Sequence, residues 1–392
     1  METFNAARSS FDGLVDGLAS EPGDVDISLA SGMGGALLYR LFVASDAQAD
    51  QGLMHGLASY FKRVANSRSF TAGLYGGTTG CAFTIEMCAR RVPEIRPGVE
   101  KYLDTVDGML IDYLDSYGHR MHFDLVSGFV GMGVYALLRT EHGRPDLMMR
   151  VIDVLQSRAE HVDVGATWRT SPTFYGMGSS AEKEPLGNFN LGVAHGVPGV
   201  ICLLAELVDQ KVRVDELRPL LQASIHWLLS SKLRRATGRT QYPHIYGESS
   251  PSRLAWCYGD VGIGWALLKA GLALDSPELL AEAKSALLSS FDATALYSGV
   301  KDSSLCHGSA GLCLMLHRAN RLVPDPDFEE ALRYWYDELH IQIARDGNKT
   351  LPERGGDMVT RIGPLSGFSG VALAIHDMEG TVVGDWSRWL LI

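Results

Sequence analysis

A Gly-x-x-Gly pair recurs seven times along this chain, starting at Gly32, Gly77, Gly128, Gly196, Gly259, Gly308 and Gly367. With 43 glycines in 392 residues, chance supplies roughly five such pairs, so the count decides little. The context decides. Each pair runs into an apolar, small-residue segment, as in SLASGMGGALLY at 28–39, NLGVAHGVPGVICLLAEL at 190–207 and SSLCHGSAGLCLML at 303–316. Successive starts lie 45, 51, 68, 63, 49 and 59 residues apart. That is room for one helix leading out, a loop and a second helix leading back.

The intervening segments carry the pattern of that second helix. Residues 98–115 place Val99, Tyr102, Leu103, Val106, Met109 and Leu110 at helical spacing, and residues 213–230 do the same with Leu217, Leu220, Leu221, Ile225 and Leu228. Residues 277–291 repeat it, with proline at a plausible helix start. Alternation of the kind strands need is scarce. The expected fold class is all-α, in helix pairs. An open solenoid turns its terminal repeats polar to cap the core. Here the first and last repeats, ALLYRLFVA and VALAIHDM, are as apolar as the middle ones. The pattern therefore favours closure into an α/α toroid, a double-layered barrel of about seven inner and seven outer helices, forming a single domain over 1–392. The Gly-x-x-Gly helices would be the inner ones, with their N-termini at one end of the barrel.

Composition narrows the function classes. The charge balance, 35 − 46 = −11, argues against nucleic-acid binding. No stretch of about 18 apolar residues is present, so no membrane span is expected. The start METFNAARSSFDGLVDGLAS lacks the basic and apolar regions of a secretory signal, and the expected location is the cytoplasm, with a peripheral place in a membrane-associated complex left open. Six cysteines in so long a chain are no disulfide framework. Cys81, Cys88, Cys202 and Cys313 lie in apolar helical runs and read as core residues. Cys257 and Cys306 lie in glycine-rich turns instead.

Alignment of the repeats on their first glycine shows where chemistry is concentrated. The preceding position holds Ser31, Gly76, Ser127, His195, Tyr258, His307 and Ser366. The one before that holds Ala30, Tyr75, Val126, Ala194, Cys257, Cys306 and Leu365. Reactive types cluster in repeats four to six, at one turn. Asp124 stands four before its glycine in repeat three, and Arg253 six before in repeat five. In a closed ring all of these converge at one barrel end. Cys257, Cys306 and His307 make a sensible zinc set, two thiolates and one imidazole with a fourth tetrahedral position open. The competing readings are two core cysteines, or a Cys257–Cys306 disulfide. His195 is a candidate acid–base residue, a fourth ligand or a structural histidine. Asp124 is a candidate partner or a helix cap. Tyr258 and Arg253 are candidates for substrate contact, against packing and surface roles. The histidines outside the phase, among them His55, His119, His122, His142, His161, His244 and His317, read as structural. Long polar loops at 165–189, 236–253 and 344–362 would rim the same end, a mouth suited to a peptide.

The turns themselves carry a family resemblance. W-C-Y-G at 256–259, C-H-G at 306–308, N-L-G-V-A-H-G-V-P-G at 190–199 and D-L-V-S-G-F-V-G at 124–131 resemble the lanthionine synthetase C-like (LanC) family over nearly the whole chain. In plan the chain is similar to the stand-alone class I lanthipeptide cyclases. With no kinase or lyase domain ahead of the repeats, the fused multidomain synthetases are not matched. The resemblance implies an α/α toroid with one Zn2+ ion and a role in lantibiotic biosynthesis. It implies (methyl)lanthionine thioether rings, made by Michael-type addition of substrate cysteine thiolates to dehydroalanine or dehydrobutyrine. The implied substrate is a dehydrated lanthipeptide precursor peptide with its leader, and the implied partners are a dehydratase and a transporter. By position, Cys257, Cys306 and His307 match the family's zinc ligands, and His195, Asp124, Arg253 and Tyr258 its active-site residues. Other readings are a zinc hydrolase acting on a peptide, with Asp124 as base, or a non-catalytic zinc- or glutathione-binding scaffold, since the family has glutathione-binding members.

Overall fold

The structure, a computed structural model, describes residues 2–18, 25–175, 185–233, 240–250, 252–292, 299–352, 358–382 and 384–392. In chain order the helices among them are α1 (Glu2–Leu18), α2 (Met33–Val43), α3 (Gln51–Asn66), α4 (Thr78–Arg91), α5 (Arg96–Tyr117), α6 (Phe129–Glu141), α7 (Asp146–Ser157), α8 (Val197–Asp209), α9 (Val214–Ser230), α10 (Asp260–Leu274), α11 (Pro277–Asp292), α12 (Ser309–Leu322), α13 (Pro326–Asp346) and α14 (Phe368–Met378). Each of the seven first glycines is the residue immediately before an even-numbered helix. These seven helices are apolar nearly all round and buried along their length, as inner elements must be.

The glycines are required by the turn before each helix. A Cβ on Gly308 would stand 2.4 Å from the Asp302 carbonyl oxygen, and one on Gly311 2.1 Å from that of Leu305. In every pair, both glycines meet the carbonyl six residues back in this way. The second glycine also seats the preceding repeat: a Cβ on Gly131 would lie 2.8 Å from Cβ of Leu74. The close approach is thus chiefly of the turn to its own helix start, and only secondarily of helix to helix.

Backbone hydrogen bonds join these turns into a closed circle. Ala30 donates to Tyr75 (3.0 Å), Tyr75 to Val126 (3.1 Å), Leu125 to Ala194 (3.2 Å) and Ala194 to Cys257 (3.5 Å). Cys257 then donates to Cys306 (3.3 Å), Cys306 to Leu365 (2.9 Å) and Leu365 back to Ala30 (3.1 Å). Apart from Leu125, every donor and acceptor is the residue two before its glycine, the position that carries the cysteines. Around the same circle the inner helices pack in the order α2, α4, α6, α8, α10, α12, α14 and α2 again. The expected closure is therefore present.

The outer layer follows the sequence pairing for six repeats, with α3, α5, α7, α9, α11 and α13 each packed on the inner helix before it. The seventh outer helix is α1. Its Phe11 ring lies 5.3 Å from that of Phe368, at the start of α14, and Phe4 lies 6.2 Å from the same ring. On α5 the buried stripe is Val99, Leu103, Val106, Leu110 and Leu114, whereas Met109 is exposed. Met109 lies about 100° from the centre of that stripe, which is why its expected burial fails. The expected stripe on α9 is buried throughout.

Residues 385–392 run inside the ring. Tyr75 donates its hydroxyl to the Trp389 carbonyl (3.3 Å), Trp256 its indole N–H to Leu390 (3.0 Å) and Trp265 its indole N–H to Leu391 (2.8 Å). Arg388 pairs with Glu141 at the end of α6, and Trp386 with Asp377 at the end of α14. The barrel is a filled core rather than a pore. Two short antiparallel hairpins add to the helices: β1 (Glu160–Val162) with β2 (Gly165–Thr167), and β3 (Lys349–Pro352) with β4 (Met358–Thr360). Both lie in or beside the rim loops expected from the sequence. No helix among the described residues is long and apolar enough to cross a membrane.

Candidate active site

The circle of turns brings the candidate residues to one end of the barrel. Cys257 and Cys306 occupy equivalent positions on neighbouring turns, joined by their own backbones at 3.3 Å. All six cysteines are free thiols, which removes the disulfide reading, and Cys81, Cys88, Cys202 and Cys313 are buried in the core as expected. The thiols of Cys257 and Cys306 are hydrogen-bonded to each other. That bond, helped by the Arg253 guanidinium 3.2 Å from the Cys257 sulfur, pulls the Cys257 thiol below its usual range against the effect of burial. Cys306 moves the opposite way, because a second thiolate beside the first is disfavoured and burial adds to the penalty. The pair thus favours a single negative charge.

His307 stands in the same turn as Cys306. Its Nε2 lies 3.3 Å from Oδ2 of Asp302, and the hydrogen bond raises its pKa while burial opposes the rise. Its Nδ1 is buried and has no hydrogen-bond partner. Among the described residues, no three His, Cys, Asp or Glu side chains stand in metal-holding geometry. The chemistry of the donors nevertheless fits zinc: two coupled thiols, and an orphaned imidazole nitrogen whose opposite nitrogen is held by a carboxylate.

His195 and Asp124 form a pair. Nδ1 of His195 lies 2.6 Å from Oδ2 of the buried Asp124. Oδ1 of Asp124 accepts from the Ser127 amide at 2.8 Å and its hydroxyl at 3.1 Å. Asp124 is therefore the partner of His195 and not a helix cap: the cap position of α6 is Gly128, with no side-chain cap, and the other Asp124 oxygen fixes the turn before it. Tyr258 accepts from Asn190 Nδ2 through its hydroxyl at 2.8 Å, and its ring centroid is 6.4 Å from that of His195. The Arg253 guanidinium lies 5.9 Å from the centre of the Tyr258 ring, so it bridges tyrosine and thiol. All seven candidates are thereby in one neighbourhood.

Four neighbours lie outside the candidate set. Asp302 supports His307, and Asn190 supports Tyr258; both sit six residues before a repeat glycine, as His122 does in repeat three and the candidate Arg253 in repeat five. His244 packs edge-on against Tyr258 at 5.1 Å and hydrogen-bonds Ser252; burial and Arg253 lower its pKa. His122 lies within electrostatic reach of Asp124 and His195, and burial lowers its pKa. The out-of-phase histidines were expected to be structural, but these two border the site. The rim loops reach it as well: Leu191 donates to His244 (3.0 Å) and Tyr246 to Phe189 (2.9 Å), tying the described ends of two loops together. A cavity of 530 Å³ lined by Glu206, Lys269, Arg318 and Ile392 lies at the other end of the barrel, away from the thiols.

Comparison with known proteins agrees with this plan. The chain is 24% identical over 393 residues to the nisin biosynthesis protein NisC of Lactococcus lactis subsp. lactis, a match covering 94% of this chain and 89% of that one. Its fold superposes on the solved structure of a nisin cyclase with a TM-score of 0.79 at 22% identity, covering 98% of this chain and 97% of the other. The family model described as lanthionine synthetase C-like protein matches residues 23–391. The chain belongs to the lanthionine synthetase C-like family.

Proposed function

We propose that the protein is a zinc-dependent lanthipeptide cyclase. In this reading it closes thioether rings in a dehydrated precursor peptide by adding cysteine thiols to dehydroalanine or dehydrobutyrine. The observation that carries the reading is the placement of the Cys257–Cys306–His307 donors and the Asp124–His195 pair on adjoining turns of one barrel end. The similarity to the nisin biosynthesis protein supports it. Peptide export and prior dehydration fall to partner proteins.

Cys257, Cys306 and His307 would hold the zinc ion, which supplies a Lewis acid that makes a substrate thiol acidic near neutral pH. The remaining steps belong to the side chains. Asp124 accepts from Nδ1–H of His195, which fixes the tautomer and leaves Nε2 to exchange a proton with substrate. Nε2 of His195 takes the proton of the substrate thiol as the sulfur forms a bond to the β-carbon, and the π pair of the dehydro residue moves onto the α-carbon and its carbonyl as an enolate. His195 delivers a proton to the α-carbon, so sulfur and hydrogen add across the double bond with no change in mass. Arg253 and Tyr258 stabilise the enolate oxygen or hold the peptide. Asn190 fixes the orientation of the Tyr258 hydroxyl.

The test is a free-thiol count by alkylation before and after incubation of the zinc-loaded protein with dehydrated peptide. Cyclisation consumes thiols without changing mass. A gain of water would point to the hydrolase reading, and unchanged thiols and mass to the scaffold.

A further inference from the structure

Three repeats use the side chain six residues before the glycine in one way. In repeat one, Asp26 Oδ1 accepts from the Ser28 amide at 2.9 Å. In repeat four, Asn190 Oδ1 accepts from the Gly192 amide at 2.9 Å. In repeat six, Asp302 Oδ1 accepts from the Ser304 amide at 2.9 Å. One arm of each side chain therefore builds the turn. The repeats differ in the other arm. Asn190 Nδ2 reaches Tyr258, and Asp302 Oδ2 reaches Nε2 of His307. In repeat one the residue before the glycine is Ser31, which carries no candidate role. The turn alone thus explains Asp26 but not Asp302.

We infer that Asp302 is a positioning residue for the metal centre: it binds the Nε2 proton of His307 and so leaves the Nδ1 lone pair for the ion. This rests on reading Cys257, Cys306 and His307 as the metal ligands. Three observations support it. Asp302 is 3% exposed, with one oxygen pinned by the Ser304 amide, so its second oxygen has little freedom. Nδ1 of His307 is buried and lacks a hydrogen-bond partner, so the ring is held from one side only. A Cβ on Gly308 would stand 2.6 Å from Asp302 Oδ1, so the glycine of C-H-G also makes room for this carboxylate. A carboxylate on the far nitrogen of a ligating histidine fixes its tautomer and raises its basicity toward the metal.

Asp302→Asn keeps an oxygen for the Ser304 amide and removes the anion facing His307. Asp26→Asn is the matched control for the turn. The full-length protein is stripped of metal, and zinc affinity is measured by competition with a chromophoric chelator. Asp302→Asn is expected to weaken zinc binding by about 10–100-fold, while Asp26→Asn binds as wild type and both metal-free variants melt alike. Cobalt-substituted Asp302→Asn should keep the sulfur-to-metal charge-transfer band, which shows that the thiol ligands remain. Asp302→Ser, whose hydroxyl serves the turn but does not reach His307, is the second variant should the first fail to fold. Wild-type affinity in these Asp302 variants overturns the inference. A wild-type protein that takes up no zinc overturns the ligand reading beneath it, a different and separable result.

Discussion

The backbone amide of Cys257 donates to the carbonyl of Cys306 at 3.3 Å, although the two residues are a whole repeat apart. That bond is one link of the seven-membered circle, and it makes the two thiols neighbours by construction. Replacing either cysteine with alanine removes one donor but leaves the backbone link intact. Each variant is expected to fold as wild type and to bind well under one equivalent of zinc, read by metal analysis after gel filtration. Full stoichiometry in Cys306→Ala would remove Cys306 from the ligand set.

His195→Ala is expected to retain zinc and to slow ring closure by about 10²–10⁴-fold, the usual weight of a proton-transferring side chain. Asp124→Asn preserves an acceptor for the Ser127 amide but loses the anion facing His195. It should lower kcat by a smaller factor, with KM nearly unchanged. Single-turnover cyclisation of a peptide with one ring checks both. An unaltered rate in His195→Ala would leave the proton transfer to another group.

The buried carboxylate Glu86 takes part in an ion cluster with Arg90, Arg96 and Arg139 that joins α4, α5 and α6. Burial alone would raise its pKa, but the hydrogen bonds from Arg96 and then Arg90 outweigh it and hold the group below 4.5. The folded state thus binds this proton less readily than the unfolded chain. The resulting stabilisation is complete above pH 4.5, the ordinary value, and is lost as pH falls through the folded value. Glu86→Gln is expected to cost about 3 kcal/mol near neutral pH, since Arg139 is fully buried and loses one partner. Urea unfolding across acid pH should show the difference from wild type shrinking below that value.

The ring is completed on its outer side by α1, through Phe11 against Phe368. Phe11→Ala should destabilise the protein by about 3–5 kcal/mol. Leu14, on the same helix and 48% exposed, should tolerate alanine within about 0.5 kcal/mol. Equal effects at the two positions would mean that α1 does not serve as the seventh outer helix.

What the sequence made legible follows from local rules. The paired glycines mark each inner helix because a turn of fixed length brings a carbonyl against them. The repeat phase found Cys257, Cys306, His307 and His195 because the hydrogen-bonded circle keeps that phase in space. Three things were not legible. The packing of α1 on α14 joins segments from opposite ends of the sequence, and no periodicity within either one signals it. The course of residues 385–392 inside the ring depends on one phenol and two indole donors from two inner repeats, each of which reads as ordinary core. Asp302 and His122 stand six before their glycines, where Arg253 also stands, but they act through side-chain reach that the alignment does not show, and His244 reaches the site by loop folding outside the repeat phase.

X-ray absorption at the zinc edge of the loaded protein tests most directly whether these turns make one metal centre. The account predicts two sulfur ligands at about 2.3 Å and one imidazole nitrogen at about 2.0–2.1 Å, with one sulfur lost in Cys306→Ala. A zinc ion surrounded only by oxygen and nitrogen, or the same two sulfurs in that variant, would contradict it.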